Sequence, residues 1–406
     1  MIKRLLAVAF IFVCTSVAWG ILGGTIVGRT NSSDEHLRSR VRSVWGTPQI
    51  QQAPLGEYWV SLPGQLSPGN HALVPASSDV VVDLNLEYRQ KGLLWYSTYR
   101  VGFQGDYGFK NPDPVARTVY VRLKLPAAQA IYDGLQFTVD GRTIEPVIEG
   151  EKASVSMTLG PLEAVKLRVR YRSQGLDSWS YSFGENVNSV RDFHLRMATD
   201  FKDIDFPDNT LSPTQKQRSG PGWQLDWNYN NLLSGYRIAM AMPAKLQPGP
   251  LASEISFFAP VSLFFFFFVI FILTVTRDIE LHPMNYFFLA AAFFAFHLLL
   301  AYLVDHLDLY LSFAIASIVS VLLVVTYLRI VIGTRFALRE AALAQSIYLV
   351  LFSFAFFFRG YTGLSVTIGA ILTLFLAMQM TGKIRWAEKF KSAAAGSVPP
   401  WPIPNR

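Results

Sequence analysis

The chain contains six apolar stretches that are long enough to cross a lipid bilayer as helices. A hydrocarbon core about 30 Å thick requires about 20 consecutive apolar residues in a helix. One stretch runs from Leu5 to Val27, near the N-terminus. The other five occupy the C-terminal third, at about residues 253–275, 285–304, 309–332, 341–358 and 363–381. This pattern predicts a membrane protein with an N-terminal transmembrane anchor and a C-terminal bundle of five transmembrane helices.

The first apolar stretch has an alternative interpretation as a cleavable signal peptide. Ala18-Trp19-Gly20 offers the small residues that such a cleavage site needs. The apolar run nevertheless continues through Ile26 and Val27, which is longer than the core of a signal peptide. An uncleaved anchor is therefore favoured, and the residues that follow are expected to be exported in either case.

Residues 29–250 show a different pattern, in which apolar and polar side chains alternate. The alternation is clearest in "TVYVRLKLP" (118–126) and "AVKLRVRYR" (164–172), and it recurs in "DVVVDLNLEYR" and "YWVSL". A period of two puts one face of a strand in a core and the other in water. Turn signals stand at Asp140-Gly141, Gly160-Pro161, Gly175 and Gly184. The pattern predicts an all-β domain of antiparallel sheets, sandwich-like, with a barrel as the alternative.

These patterns divide the chain into four predicted parts. They are an anchor at 1–28, a β-rich domain at 29–250, a five-helix transmembrane domain at 251–382 and a basic tail at 383–406. Residues 246–260 are expected to form a hinge into the second span. The spans read as continuous, and no internal repeat of the kind found in many transporters is visible.

The distribution of charge predicts the orientation of the chain. Cytoplasmic loops of membrane proteins carry an excess of Lys and Arg. With the N-terminus inside, ten cations fall in cytoplasmic segments, whereas the short outer loops hold only Arg359. The ten are Lys3, Arg4, Arg277, Arg335, Arg339, Lys383, Arg385, Lys389, Lys391 and Arg406. We therefore expect an N-in, C-in topology with residues 29–250 outside the cytoplasm.

The high pI does not indicate nucleic acid as a partner. Residues 29–250 hold 24 Lys and Arg against 22 Asp and Glu, so most of the net charge of +7 lies in or beside the apolar runs. The sequence shows no basic stripe interleaved with aromatic residues, which is the pattern that follows the phosphates of a nucleic acid. The partner expected from this composition is the lipid bilayer itself.

The sequence lacks the signatures of the common catalytic and cofactor sites. HExxH, GxSxG, a Walker-type loop and GxGxxG are all missing. The single cysteine, Cys14, excludes an intrachain disulfide and a cysteine metal cage. We therefore predict no catalytic residue, no cofactor and no metal site.

Two surface patterns leave an alternative open. Four cations alternate on one face of a strand, at Lys166, Arg168, Arg170 and Arg172. Such a face can meet anionic lipids or glycans, but the solvated side of an edge-prone strand explains it more simply. "DFKDIDFPD" (200–208) holds four carboxylates, and a surface turn is favoured there over a calcium site because the familiar calcium-loop pattern is missing.

The polar stretch "TRDIELHPMNYFF" (276–288) separates two apolar runs. It is predicted to be a cytoplasmic hairpin, since backbone groups outside a helix cannot be satisfied in lipid. His282 is expected to be extended because it precedes a proline. Pro283 suits the first turn of the next helix, and Tyr286 is expected at the headgroup level. His282, Pro283 and Tyr286 are functional candidates, although their structural roles explain them adequately.

Ionisable residues within or beside the spans are further candidates, since charges in a membrane are costly. His297 lies midway along a span, where a hydrogen bond to a neighbouring helix is favoured over a role in carrying protons. Asp305 and His306 precede Asp308 in an outer turn, where a helix cap is favoured over a metal site. Arg329 is expected to reach the headgroups from the inner end of its span.

The C-terminal region resembles the CreD family of bacterial inner-membrane proteins. The resemblance rests on "LHPMNYFFL", "FHLLLAYLVDHLDLYLSF", "RIVIG" and "TGKIRW", and it covers roughly residues 255–387. His282, Pro283 and Tyr286 match the family's His-Pro-x-x-Tyr hairpin. The following turn reads Val304-Asp305-His306 where the family has a Ser-Glu-His type. The resemblance implies a periplasmic location for residues 29–250, a context of cell-envelope integrity and envelope stress, and no established enzymatic activity.

Three functional hypotheses follow. The leading one is a non-enzymatic inner-membrane protein whose β domain binds an envelope protein, lipid or glycan. The second is a transporter or lipid flippase that uses His297, Asp305, His306 and Arg329. The third is a membrane-surface metalloenzyme at Asp305 and His306. The oligomeric state is not predicted.

Overall fold

The structure is a computed structural model, and it describes residues 2–60, 69–91, 94–128, 130–184, 189–233, 235–358 and 360–382. Two compact units are present. The helical unit comprises residues 1–34 and 246–406, and the β-sheet unit comprises residues 35–245. The predicted basic tail at 383–406 and the outer-loop cation Arg359 lie outside the described residues.

Six helices within the described part of the chain are long and apolar enough to cross a membrane. They are α1 (Ile2–Trp45), α2 (Pro248–Thr276), α3 (Pro283–Leu303), α4 (Leu309–Val331), α5 (Thr334–Phe357) and α6 (Thr362–Thr381). Prolines occupy the first turns of α2 and α3, where a missing N–H costs nothing. The predicted N-terminal anchor and five C-terminal apolar helices are therefore confirmed.

Helix α1 is longer than its apolar run. It continues past Val27 as a polar helix to Trp45. Leu37, Val41 and Trp45 recur at every fourth position, so they share one face, which packs in a small cluster with Tyr96. This packing explains the extension. The prediction of β structure for residues 29–250 did not include this extension.

Helix α2 begins earlier than expected, and α5 is irregular. The expected hinge at residues 246–260 is mostly the first turns of α2, because Pro248 starts that helix. Helix α5 contains π-helical segments at Ala337–Ala341 and Ser346–Leu351 and ends in a 3₁₀ turn at Ala355–Phe357. The span itself is continuous from Thr334 to Phe357, but apolar length alone carries no information about these local changes of helix type.

The β-sheet unit contains three sheets among its described residues. Their strand orders are β1-β12-β16, β3-β2-β6-β10-β9 and β14-β15-β13-β4-β5-β11-β7-β8. The strands are β1 (Gln49–Gln52), β2 (Leu55–Val60), β3 (Gly69–Leu73), β4 (Ser77–Lys91), β5 (Leu94–Lys110), β6 (Arg117–Lys124), β7 (Tyr132–Val139), β8 (Arg142–Ile144), β9 (Val147–Glu149), β10 (Lys152–Leu159), β11 (Ala164–Leu176), β12 (Ser178–Ser182), β13 (Ser189–Thr199), β14 (Gln215–Ser219), β15 (Gly222–Leu233) and β16 (Ile238–Ala241).

The five-stranded and eight-stranded sheets share one hydrophobic core. Val121 of β6 and Val155 of β10 meet Val82 of β4, Phe103 of β5 and Leu167 of β11 in this core. Along β6 and β11 the burial alternates residue by residue, as the sequence pattern predicts. Since two sheets face each other across a common core, the sandwich-like interpretation is confirmed.

Two details of the sheets differ from the predictions. Most pairs are antiparallel, but β1 pairs with β12 and β4 pairs with β13 in parallel. Gly175 forms no turn and lies within β11, where a side chain would collide with the ring of Tyr99. The hydroxyl of Tyr99 donates to the carbonyl of Ser178 at 2.7 Å. Glycine is thus needed here for a close side-chain approach.

The four-cation face lies on β11, which pairs with β5 and β7 and is not an edge strand. Lys166 and Arg168 contact Asp106 at 3.0 and 2.6 Å, and Arg172 lies 3.6 Å from Asp133. The Arg168 guanidinium holds the pKa of the Asp106 carboxyl below its ordinary value, against the opposing effect of burial. Because two of its four cations share one carboxylate, this face is partly neutralised within the sheet.

The core of the β-sheet unit can be tested on a single strand. Leu225 and Leu233 both lie on β15, and they are 0% and 76% exposed. Leu225→Ala should reduce the free energy of unfolding by about 2–5 kcal/mol, because it leaves a cavity, whereas Leu233→Ala should change it by less than about 0.5 kcal/mol. Thermal unfolding of the full-length protein in detergent measures both. Equal effects of the two substitutions would contradict the packing described above.

Candidate functional site

The hairpin between α2 and α3 is organised around His282 and Pro283. His282 is extended, with φ −69° and ψ 147°, and its Nδ1 accepts a hydrogen bond from the backbone N–H of Met284 at 3.2 Å. It therefore acts as the N-cap of α3, while Pro283 occupies the first turn. The extended His282 and the helix-starting Pro283 agree with the sequence analysis. The cap itself was not foreseen, since histidine is an uncommon capping residue.

Tyr286, which is predicted to lie at the headgroup level, packs with its ring buried. It is 1% exposed and packs edge-on against Phe267, with ring centroids 5.3 Å apart. The neighbouring Asn285 accepts a hydrogen bond from the hydroxyl of Tyr327 on α4 at 2.7 Å. The start of α3 is thus fixed to α2 and α4. A bulky aromatic close to a helix end is equally compatible with burial and with an interfacial position, so the sequence could not decide.

One ion pair fixes the same hairpin to α5. Arg277 contacts Glu340 at 2.6 Å, and Glu340 lies in the first π-helical segment of α5. The Glu340 side chain is 17% exposed, whereas that of Arg277 is 48% exposed. In the sequence, Arg277 is only an orientation signal, because nothing local reveals a partner 63 positions away.

His297 is buried among aromatic rings. It is 1% exposed, and its Nδ1 lies 3.0 Å from the carbonyl oxygen of Phe293, one turn earlier on α3. Its ring centroid is 5.4 Å from that of Trp19 on α1 and 4.9 Å from that of Phe296. The predicted hydrogen bond to a neighbouring helix is therefore wrong, because the observed bond stays within α3. The contact with α1 is made by ring packing instead.

The turn after α3 is fixed by two separate carboxylates. Asp305 forms an ion pair with Arg29 of α1 at 2.9 Å, and Arg29 also donates to the carbonyl of Ala301 at 2.8 Å. Asp308 caps α4 by accepting a hydrogen bond from the N–H of Tyr310 at 3.0 Å, as predicted. His306 makes its described hydrogen bond through its backbone N–H, to Leu303. The two carboxylates therefore serve different helices and do not converge with His306.

Arg329 lies in the last turn of α4 and is exposed. The structure does not bring it to His297, Asp305 or His306, and thus the candidates of the helical unit form no joint site. Across the described residues, no group of three or more His, Cys, Asp or Glu side chains could hold a metal ion. Residues 200–208 form a mostly exposed segment, in keeping with the surface turn favoured above.

A buried polar chain that the sequence analysis missed crosses three helices. Gln345 of α5 donates to the hydroxyl of Ser320 on α4 at 2.9 Å, and this hydroxyl donates to the carbonyl of Ala292 on α3 at 2.8 Å. Gln345 and Ser320 are both 0% exposed. Gln345 lies between the two π-helical segments of α5. The polar residues within apolar spans are visible in the sequence and could have indicated a buried hydrogen-bonded chain. Their partners could not be identified, because these depend on how the helices pack.

The β-sheet unit contains a groove that has no local signature in the sequence. It has a volume of about 300 Å³, at the lower end of the range for small-molecule sites. Among the described residues its charged lining consists of Glu57, Arg122, Lys124 and Lys152. Arg122 and Glu57 form an ion pair at 2.8 Å. The described part of the lining therefore carries a net charge of +2.

Lys124 and Lys152 face each other across two strands of this groove. They are partners in the antiparallel register of β6 and β10, and both are exposed. Within the part of the chain that the structure describes, neither ammonium has a carboxylate within 4.0 Å. The lining also includes the apolar side chains of Leu55, Phe183 and Val190. The groove thus combines a cationic rim with an apolar wall.

The fold and these sites define a multi-pass membrane protein that carries a large β-sheet unit between its first and second apolar helices. Residues 1–387 match the family described as inner membrane protein CreD. The chain therefore belongs to the CreD family of inner membrane proteins. The match extends well beyond residues 255–387, on which the resemblance in sequence was based, and includes the β-sheet unit.

Other comparisons add little to this assignment. No match was found among curated proteins. A candidate nutrient binding protein of Legionella pneumophila is 12% identical over 53% of this chain and 76% of its own, with a TM-score of 0.33. An M1 zinc metallopeptidase of Deinococcus radiodurans is 11% identical over 42% of each chain, with a TM-score of 0.29. Both scores lie below 0.5, and neither likeness carries an argument about this protein.

Proposed function

We propose that this protein is a non-enzymatic component of the bacterial inner membrane that supports cell-envelope integrity. In this proposal the β-sheet unit binds an envelope protein, lipid or glycan in the periplasm, and the helices anchor it. The observation that carries the proposal is the combination of a large β-sheet unit, which has an open groove, with helices whose ionisable residues serve packing and capping. The groove offers a binding site, whereas the helical candidates are dispersed.

The proposed topology is N-in, C-in, with residues 29–250 in the periplasm. It is supported by the cation count in the loops and by the even number of apolar helices in the described part of the chain. Arg277 then lies in the cytoplasm together with Glu340. Asp305 and Asp308 lie in a periplasmic turn.

Reporter fusions test this topology directly. A fusion at Asp278 should show a cytoplasmic reporter, and a fusion at Tyr120 should show a periplasmic one. Alkaline phosphatase and green fluorescent protein give opposite signals on the two sides, so each position serves as the other's control. The same signal at both positions would overturn the topology.

A deletion strain tests the envelope role. Loss of the protein should increase sensitivity to detergents and cell-wall antibiotics, because the periplasmic binding unit is removed. The wild-type chain expressed in trans should restore resistance, and a chain lacking residues 46–243 should not. Unchanged sensitivity across detergents, antibiotics and membrane stress would contradict the proposal.

A transporter or lipid flippase is the second candidate function. It is favoured by the π-helical segments that flank the buried Gln345, since π-helical turns are frequently found at functional sites. The packing of His297 favours the anchoring role instead. Its ring is enclosed by Trp19 and Phe296, and no acidic partner for a proton relay contacts it among the described residues.

Substitution of His297 discriminates between the two functions. His297→Phe preserves an aromatic ring in the packing and removes the titratable nitrogen, so complementation of the deletion strain should be unchanged. His36→Phe, at an exposed position of α1 that neither function uses, is the matched control. Loss of complementation by His297→Phe alone, at normal membrane levels, would favour proton-linked transport.

A further inference from the structure

The groove of the β-sheet unit contains an arrangement that costs stability in the absence of a ligand. Like charges directly opposite each other in an antiparallel pair are destabilising, because their side chains lie about 5 Å apart. Lys124 and Lys152 occupy such positions on the exposed face of β6 and β10. Arg122, two residues before Lys124, adds a third cation on the same face of β6.

The surrounding carboxylates relieve only one of these cations. Glu57 lies 2.8 Å from Arg122, and no ion pair to Lys124 or Lys152 occurs among the described residues. Glu149 is the register partner of Lys152 on β9, but no contact within 4.0 Å joins their charged atoms in the described chain. The two ammonium groups thus remain available to one anion, which could bridge them. An anion in that position would convert the repulsion into two charge-assisted hydrogen bonds.

The apolar wall determines what else the ligand must contain. Phe183 is 7% exposed and belongs to the core, so it provides a rigid floor. Leu55 and Val190 are partly buried beside it. A purely hydrophilic anion would leave this wall in contact with water. An anion with an apolar portion would cover it, and each buried CH₂ contributes about 0.8 kcal/mol in general.

We propose that this groove binds an anionic amphiphile, with a phosphate group on Lys124 and Lys152 and its apolar portion along Phe183 and Val190. The proposal rests on the proposed function, in that it names the class of the envelope component. The volume of about 300 Å³ accommodates the phosphate head and a short apolar segment, and not a whole membrane lipid.

Photo-crosslinking tests the proposal at the site itself. The full-length protein in a zwitterionic detergent would be incubated with dihexanoyl phosphatidylglycerol that carries a diazirine at the end of one chain. Crosslinks should map to residues near Phe183 and Val190. Unlabelled dihexanoyl phosphatidylglycerol should compete, whereas the phosphatidylcholine of the same chain length should need at least about tenfold more, because its choline is repelled by the lysines. Glycerol 3-phosphate tests the head alone, and hexanoate tests a carboxylate head.

Three variants separate binding from folding. Lys124→Gln and Lys152→Gln should each raise, by about tenfold, the concentration of unlabelled dihexanoyl phosphatidylglycerol that halves crosslinking. Each substitution removes one charge-assisted hydrogen bond to the phosphate. Both should unfold at the same or a higher temperature than the wild type, because each relieves the repulsion between the lysines. A structural role for the lysines would instead lower that temperature. Lys110→Gln, an exposed lysine on β5 outside the groove, is the control and should change neither property.

Each contrary outcome has a definite meaning. Equal competition by phosphatidylglycerol and phosphatidylcholine, or unchanged binding by both lysine variants, overturns the anion site. If glycerol 3-phosphate competes as strongly as dihexanoyl phosphatidylglycerol, the role of the apolar wall is overturned. If hexanoate competes more strongly than dihexanoyl phosphatidylglycerol, the choice of a phosphate group is overturned. If crosslinking fails while the deletion strain is still sensitive, this inference is wrong and the proposed function stands.

Discussion

The helical unit is governed by the requirement that backbone N–H and C=O groups in hydrocarbon be paired within their own segment. The charged interruption at residues 276–282 and the turn at residues 304–308 therefore lie where helices end, and the helix that follows each of them starts with a side-chain cap. His282 caps α3, and Asp308 caps α4. The same requirement explains why the ionisable residues at these ends have mainly structural partners. Residues that look like candidate chemistry in the sequence are used to end one helix and start the next.

Helix α1 connects this arrangement to the β-sheet unit through the backbone. Trp19 packs on the ring of His297, and Arg29 binds Asp305 and the end of α3. Sixteen residues beyond Arg29 the helix ends at Trp45, which stacks on the guanidinium of Arg89 at 3.4 Å. Helix α1 thus contributes residues 2–34 to the helical unit and residues 35–45 to the β-sheet unit. A polar helix without i, i+4 apolar partners at Leu37 and Val41 would not be stable over this length in water.

How much could be predicted follows from the range of the interactions. The six apolar helices and the alternating strands β6 and β11 could be predicted, because length and period act locally and a shift of one residue would turn each strand inside out. The caps at Asp308 and the extended His282 could also be predicted, because their signals lie within two residues. The pairs Arg29–Asp305 and Arg277–Glu340 could not, since they join residues from different helices. The burial of Tyr286 and the π-helical segments of α5 depend on packing and have no local signature.

The groove also depends on residues that are distant in the sequence, so it could not be predicted. Lys124 and Lys152 stand 28 positions apart in the sequence, where each reads as an ordinary solvated end of an alternating strand. Only the register of β6 with β10 makes them opposite. A register is fixed by the buried positions Val121, Leu123 and Ala153, so the chain cannot relieve the repulsion by slipping without exposing the core. Substitution would relieve it easily, since both sites are exposed. The fold thus fixes which two positions face each other, but it does not require lysine at either of them. Lysine at both positions is what an anion-binding site would require.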